Sequence, residues 1–358
     1  MKNTLVVDSK KFSQSLATIM PAVATKSSLP VLSMVLLSTT GDERLELVGT
    51  DLQLSLRTFC ECETRDTIQI TLPAKRLYSW VAQQEGDIKI EFENFTAKMK
   101  CGRFKATLKG LDAEEFPVVP SIEGATEKFE VDAKKLEICI DQVINAASLD
   151  DSRPALSGIY WTNRLAAADG YQMGISVDVG TEGNWLIPAK SMRVIRKAFQ
   201  GSEPIIVFGL STQLGFLQNE IEIVTRLIEG NFPNYQAILD QLSNRVVVEM
   251  SKSGLEKTVR VVETMQESNI LKFDIESGKM VVSSQAGDTD ADGEIEVEYE
   301  GESFKKAVNI HYLRNALNAV GTDRLQMQTG ADTTSPIHIN NVPDDCFRYV
   351  VMPLNLTR

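Results

Sequence analysis

Five cysteines (Cys60, Cys62, Cys101, Cys139, Cys346) and two histidines (His311, His338) are the nucleophiles and bases from which this chain could build a catalytic or metal centre. A thiol hydrolase would need Cys139 or Cys346 beside His311 or His338, so that the imidazole could take the thiol proton. No spacing in the sequence arranges that. Cys60 and Cys62 stand two apart in an extended-looking run, on one face of a strand, and lack both the C-x2-C spacing and the second half of a zinc site. An odd number of scattered cysteines predicts reduced thiols rather than a disulfide framework. Asp288-Thr289-Asp290-Ala291-Asp292-Gly293, with Ile295 beyond, matches the first half of a calcium loop, but the twelfth position is Tyr299 where a bidentate glutamate is needed. Its flanks, 280–283 and 294–298, alternate like strands, so the run reads as an acidic hairpin turn. Phosphate-cradling G-x4-G-K-[ST], G-x-G-x-x-G and nucleophile-elbow G-x-S-x-G motifs are missing. The expectation is a protein without catalytic residues, metal or cofactor.

The elements that would carry any site belong to a 358-residue chain of globular composition, 43% hydrophobic and 24% charged. Length alone argues for two or three domains. The formal charge of -12 speaks against coating by nucleic acid through bulk charge, without excluding a local basic surface. The longest apolar run, near Leu29 to Leu37, is too short for a membrane span, and the N-terminus does not read as a signal peptide. A cytoplasmic protein with no membrane partner is the expectation.

An internal repeat organises the chain. Short strand, small polar cap and helix recur at Leu5–Phe12, Lys128–Leu136 and Val246–Ser253. A second strand–helix unit recurs at ITLPAKRLYSWV, WLIPAKSMRVIRKA and AVNIHYLRNALNAV, with Pro73, Pro188 and Asn309 at the switch. Asp51, Asp169 and Asp288 keep the same interval between strand-like runs, and Phe116-Pro117 returns as Phe232-Pro233. The chain therefore reads as α+β, three tandem copies of one domain, each with two strand–helix–strands halves. The copies span 1–121, 122–243 and 244–358.

The periodicity predicts helices over 9–23, 74–84, 133–147, 190–199, 252–265 and 311–320, and these hold fourteen basic residues against four acidic ones. The rest of the chain is correspondingly acidic. Exposed helix faces often carry Lys and Arg, but this segregation also suits helices that face DNA phosphates while acidic sheets face outward.

These residues resemble the bacterial-type DNA polymerase III beta subunit family, the sliding clamps. The resemblance runs along the whole chain through Lys26–Leu32, Gly49-Thr50-Asp51-Leu52, Arg103-Phe104, Phe116-Pro117, Asp169-Gly170, Phe232-Pro233-Asn234-Tyr235 and Tyr349–Leu354. It implies a head-to-tail homodimer ring, helices lining the hole and antiparallel sheets outside, encircling duplex DNA without reading its sequence. It also implies tethering of the polymerase, the clamp loader and other proteins bearing short clamp-binding peptides. Lys26, Lys75, Arg76 and Lys190 would face DNA by resemblance, and helix charge adds Arg193, Arg196 and Lys197. The resemblance places a partner-peptide pocket at Leu156, Gly170, Tyr171, Met173, Pro233, Ile238, Val350, Met352, Pro353 and Leu354. Their mostly apolar character suits an anchoring pocket. Phe104, Val261 and Val262 would lie in the dimer contact. The chain departs from the family's common His-Arg-Leu with Tyr171-Gln172-Met173, carries Ala237 and Asn355 where basic residues are frequent, and extends through Thr357-Arg358. The alternative is a clamp-fold scaffold or calcium-binding protein that no longer encircles DNA.

Overall fold

The computed structural model describes residues 3–122, 125, 127–150, 152–239, 245–265, 269–286 and 289–355. The first repeat runs β1 (Asn3–Asp8), α1 (Ser9–Ile19), β2 (Met34–Thr39), β3 (Arg44–Thr50), β4 (Leu54–Glu61), β5 (Ile68–Pro73), α2 (Ala74–Val81), β6 (Asp87–Glu93), β7 (Thr96–Cys101) and β8 (Phe104–Lys109). The second runs β9 (Glu127–Val131), α3 (Ala133–Val143), β10 (Gly158–Trp161), β11 (Arg164–Ala168), β12 (Gln172–Asp178), β13 (Trp185–Pro188), α4 (Ala189–Ala198), β14 (Ile205–Gly209), β15 (Gln213–Gln218), β16 (Ile221–Arg226) and a short α5 (Tyr235–Leu239). The third runs β17 (Val246–Ser251), α6 (Lys252–Glu263), β18 (Ile270–Glu276), β19 (Lys279–Ala286), β20 (Thr289–Glu298), β21 (Phe304–Asn309), α7 (Ile310–Ala319), β22 (Arg324–Thr329), β23 (Ile337–Val342) and β24 (Arg348–Val351).

Local chemistry explains where the helices begin. Side chains of Asp8, Ser251 and Asn309 cap α1, α6 and α7 by accepting the backbone N–H of Lys11, Gly254 and His311. Each helix then buries one stripe, as with Phe12, Leu16 and Ile19 of α1. The helices end sooner than the periodicity predicts. After Ile19 the chain tightens into a 3-10 turn, Met20–Ala22, because Pro21 cannot donate an α-helical hydrogen bond. Helix α3 likewise gives way to a 3-10 turn at Ile144–Ala146, α2 stops at Val81, and α6 stops at Glu263. Pro73 and Pro188 close their strands instead of opening helices.

The chain divides into two compact units. The first, Met1–Ala133 with Val194–Leu227, holds a four-stranded sheet, β1-β6-β7-β8, and an eight-stranded one, β5-β2-β3-β4-β16-β15-β14-β9. The second, Lys134–Arg193 with Ile228–Arg358, holds a twelve-stranded sheet, β13-β10-β11-β12-β24-β23-β22-β17-β20-β19-β18-β21. The middle repeat contributes to both, because strand pairing runs across repeat boundaries: β4 pairs with β16 in the first unit and β12 with β24 in the second.

These two joins share one register. Leu54, Ser55, Leu56 and Arg57 face Thr225, Val224, Ile223 and Glu222, while Gln172, Met173, Gly174 and Ile175 face Val351, Val350, Tyr349 and Arg348. Even the next link is kept: Arg226 N–H donates to Gln53 O at 2.9 Å, and Met352 N–H to Tyr171 O at 2.8 Å. The repeat is therefore present in the hydrogen bonds between repeats as well as within them.

Candidate nucleic-acid and peptide interfaces

In the first unit Lys26 follows the α1 region on an exposed loop, and Lys75 and Arg76 stand exposed on the first turn of α2. Helix α4 places Lys190, Arg193 and Lys197 on one exposed stripe, at steps of three and four, opposite buried Met192 and Ile195. Arg196 is half-buried beside that stripe. Arg193 also donates to Ile144 O at 3.1 Å, which fixes its stem. Lys26, Lys75, Arg76, Arg193 and Lys197 have no carboxylate within ion-pairing reach among the described residues. By contrast Lys11, Lys135, Lys252 and Arg314 pair with Glu61, Asp178, Glu256 and Glu263. So the helical charge divides into cations already matched within the chain and cations left to meet solvent or a polyanion.

The second unit contains most of the expected peptide pocket. Met173 and Val350 face each other across the β12–β24 join and are buried with Ala166, Ala168 and Ile175. Leu156 and Ile238 pack against this cluster, and so do Phe232, Tyr235 and Leu239, which the sequence reading does not select. Tyr235, Ile238 and Leu239 belong to α5, too short to show a helical period. Gly170 takes a φ of +98°, open to glycine and costly for other residues, at the turn that Asp169 organises by accepting the N–H of Tyr171 and Gln172. Asp51 holds the equivalent turn in the first unit by accepting from Gln53 and Leu54. Asp288 lies outside the described residues.

Tyr171 is 59% exposed and stacks on Tyr312 of α7, ring centroids 6.1 Å apart and planes 9° from parallel. Burial, with Asp169 and Tyr171 nearby, raises the Tyr312 phenol above its usual pKa. Tyr312 is a rim residue that the sequence reading also misses. Met352 is exposed, while Pro353 and Leu354 are half-buried where Leu354 N–H donates to Ala307 O of β21 at 2.7 Å. Pro233 is exposed between Phe232 and α5. The structure thus supplies an apolar floor, a turn, an aromatic rim and a terminal strand, all in one unit.

Two expectations need correction. Val262 is fully buried, on the α6 stripe with Leu255 and Val259, so its side chain is core and unavailable to another chain; Val261, one residue earlier, is 58% exposed. Phe104 is exposed at the start of β8, with the Arg103 guanidinium 5.2 Å from its ring centroid. The acidic hairpin turn expected over 288–293 is the second, for Asp290, Asp292 and Gly293 are not in a turn. They lie within β20, paired with Gln285, Ser283 and Val282, and a ladder-bound strand cannot wrap a cation. Among the described residues no cluster of metal-binding side chains occurs.

The buried thiols Cys60, Cys62 and Cys139 do not read as nucleophiles. Cys139 is buried, donates weakly to Val177 O, and burial pushes its pKa up to about 11. Burial, aided by Arg245 and Arg348, lowers His338 to about 4, which keeps it neutral. No helix among the described residues is long and apolar enough to cross a membrane.

Three solved clamp structures share this architecture across nearly the whole chain. The beta sliding clamp of C. crescentus matches with a TM-score of 0.92 at 24% identity, covering 99% of both chains. That of Bacillus subtilis matches at 0.90 and 19%, covering 99% of this chain and 100% of the other. A clamp of Pseudomonas aeruginosa solved bound to griselimycin matches at 0.91 and 23%, covering 99% and 100%. At these identities the likeness defines the fold, that of the sliding clamps. Among sequence relatives, the beta sliding clamp of Synechococcus elongatus is 26% identical over 98% of this chain and 99% of its own. Family models for the N-terminal, central and C-terminal domains of the DNA polymerase III beta subunit match residues 3–120, 130–234 and 242–355. The chain belongs to the DNA polymerase III beta subunit family.

Proposed function

We propose that two copies of this chain join head to tail around duplex DNA, with β8 of one against β20 of the other. As a member of its family the chain is a DNA sliding clamp, a processivity subunit with no chemistry of its own. The observation that carries the mode of assembly is the shared register of the two internal joins. Strand β4 takes β16 and β12 takes β24; their third-repeat and first-repeat counterparts, β20 and β8, are left without a partner of that kind among the described residues. Charge supports the match. Strand β8 brings Lys105 and Lys109, and β20 brings exposed Asp290, Asp292, Glu294 and Glu296. Phe104 and Val261 would add apolar contact beside them.

In this reading the domains span 1–121, 122–243 and 244–358, and the protein works in the cytoplasm. Lys26, Lys75, Arg76, Lys190, Arg193, Arg196 and Lys197 meet phosphates without reading bases. A closed ring stays on DNA by topology, so these contacts stay weak enough to slide. Polymerase, loader and other partners dock a short peptide on the Met173–Val350 floor beneath Tyr171 and Met352, and the tether raises the polymerase's effective concentration at the primer end. Light scattering tests the assembly: a mass near 79 kDa, twice the 39.6 kDa chain, is expected to persist on dilution. The double variant Lys105→Glu, Lys109→Glu should shift it toward monomer. A strict monomer at micromolar concentration for the parent chain would end the head-to-tail ring as drawn.

A further inference from the structure

The floor and rim of the docking groove meet through one side chain, Gln172, which alternation turns away from the groove. It is 6% exposed, and every polar position it has is used. Its Nε2 donates to Asp169 Oδ2 at 2.9 Å and to Asn145 O at 3.1 Å. Its Oε1 accepts from the Tyr349 hydroxyl at 2.8 Å and from Asn315 Nδ2 at 3.2 Å. Asp169 and Asn145 belong to the middle repeat, and Tyr349 and Asn315 to the third. Only an uncharged amide offers two donors to one side and two lone pairs to the other. A methionine would fill the space and bond nothing; a carboxylate would confront Asp169.

We propose that Gln172 is a positioning residue for partner docking: it ties the Asp169–Tyr171 turn to α7 and so holds the Tyr171–Tyr312 rim in its binding geometry. The inference rests on reading this groove as the docking pocket. The link from knot to rim is short. Asp169, held by Gln172 through Oδ2, uses Oδ1 to fix the N–H of Tyr171. On α7, Asn315 and Tyr312 are three apart, hence on one face, so the helix that bonds Gln172 also presents the ring on which Tyr171 stacks. Met352 N–H closes the loop by donating to Tyr171 O.

Griselimycin serves as the probe, with affinity measured by calorimetry on the full chain between pH 5 and 8. The parent should bind with an affinity that is flat in pH. Gln172→Met should bind at least five-fold more weakly at every pH. Gln172→Glu should be weak at pH 8 and recover toward the parent at pH 5, as the introduced carboxylate and Asp169 come to share a proton. Loss of bulk packing would give no such recovery. Asn315→Ala removes one bond from a half-buried site and should weaken binding about two- to five-fold, the effect of one modest hydrogen bond, even if the Gln172 variants do not fold. Parent-like affinity in Gln172→Met, or a pH-independent defect in Gln172→Glu, would overturn the positioning role. If the parent does not bind the probe, or Tyr171→Ala binds it unchanged, the reading of the groove itself falls instead.

Discussion

Replacing Lys190, Arg193 and Lys197 by glutamine should flatten the salt dependence of duplex binding by a calculable amount. The three side chains form one stripe on α4, and a rise of about 1.5 Å per residue makes that stripe about 10 Å long. Duplex DNA presents roughly six phosphate charges over the same axial length, counting both strands, so each cation can meet a phosphate of its own. Arg193 spends one N–H on Ile144 O and keeps the others for phosphate. At about 0.9 unit of log–log slope per neutralised phosphate, the triple variant should lose about 2–3 units per chain, or about 5 for a pair of chains. The assay is fluorescence anisotropy of a labelled duplex between about 50 and 200 mM salt, the range in which counterion release dominates. Lys98→Gln is the control, because Lys98 is on a sheet strand and already pairs with Glu93 at 2.8 Å. A folded triple variant whose slope stays within about half a unit of the parent would refute the reasoning, since the stripe would then face no phosphates.

The interface assignment separates two neighbours: Val262→Ala should cost about 2 kcal/mol in urea unfolding through the cavity it leaves, whereas Val261→Ala should spare stability and weaken self-association seen by light scattering. Lys306, 0% exposed and donating to the carbonyls of Asp332 and Ser335, is brought down by burial from 10.5 to about 8. The folded chain loses that proton first, so the group's penalty is full below pH 8 and fades as pH rises to 10.5. Unfolding free energy of the parent relative to Lys306→Met should therefore climb by about 3 kcal/mol across that window, and a constant difference would contradict it. Cys139 has the opposite sign: its folded pKa is raised from 9.0 to about 11, so its contribution is complete below pH 9 and disappears as pH passes 11. Relative to Cys139→Ala, the parent should lose about 2–3 kcal/mol over that span in the same measurement.

What the sequence reveals and what it withholds follow from distance along the chain. Helix starts are legible because Asp8, Ser251 and Asn309 bond within three residues of themselves. The Asp51 and Asp169 turns are legible for the same reason. The burial of Val262 is legible in the same way: Leu255, Val259 and Val262 trace an i, i+4, i+7 stripe, and Val261 lies about 100° away from it. Gln172 was not legible, because its partners Asn315 and Tyr349 lie 143 and 177 residues downstream and meet it only once β12 pairs with β24. The Asp290–Gly293 run misleads because ligand spacing in a calcium loop and alternation in an acidic strand both put carboxylates at every second residue; cross-strand pairing decides between them. The repeat boundaries are visible in the sequence, but the compact units are not, since the β4–β16 and β12–β24 ladders tie strands of different repeats together.

Strand β8 is a sheet edge, whereas β20 meets β17 only at Val297 and Glu298 and pairs on one side only over 289–296; the two are unlike, so any contact between them leaves one of each still free. A contact of that kind has no built-in stopping point: it closes when the rotations add to a full turn and otherwise grows into a filament. Edge chemistry decides how firmly one chain grips the next but not how many chains complete the circuit. That number depends on the twist at each ladder, and the four-pair register of β4 with β16 and of β12 with β24 sets the twist inside every chain. Strand register is then a counting device, and a two-residue slip in β4 or β12, which keeps each side chain on its own face, would change the number of subunits, or abolish closure, while leaving both edges as adhesive as before.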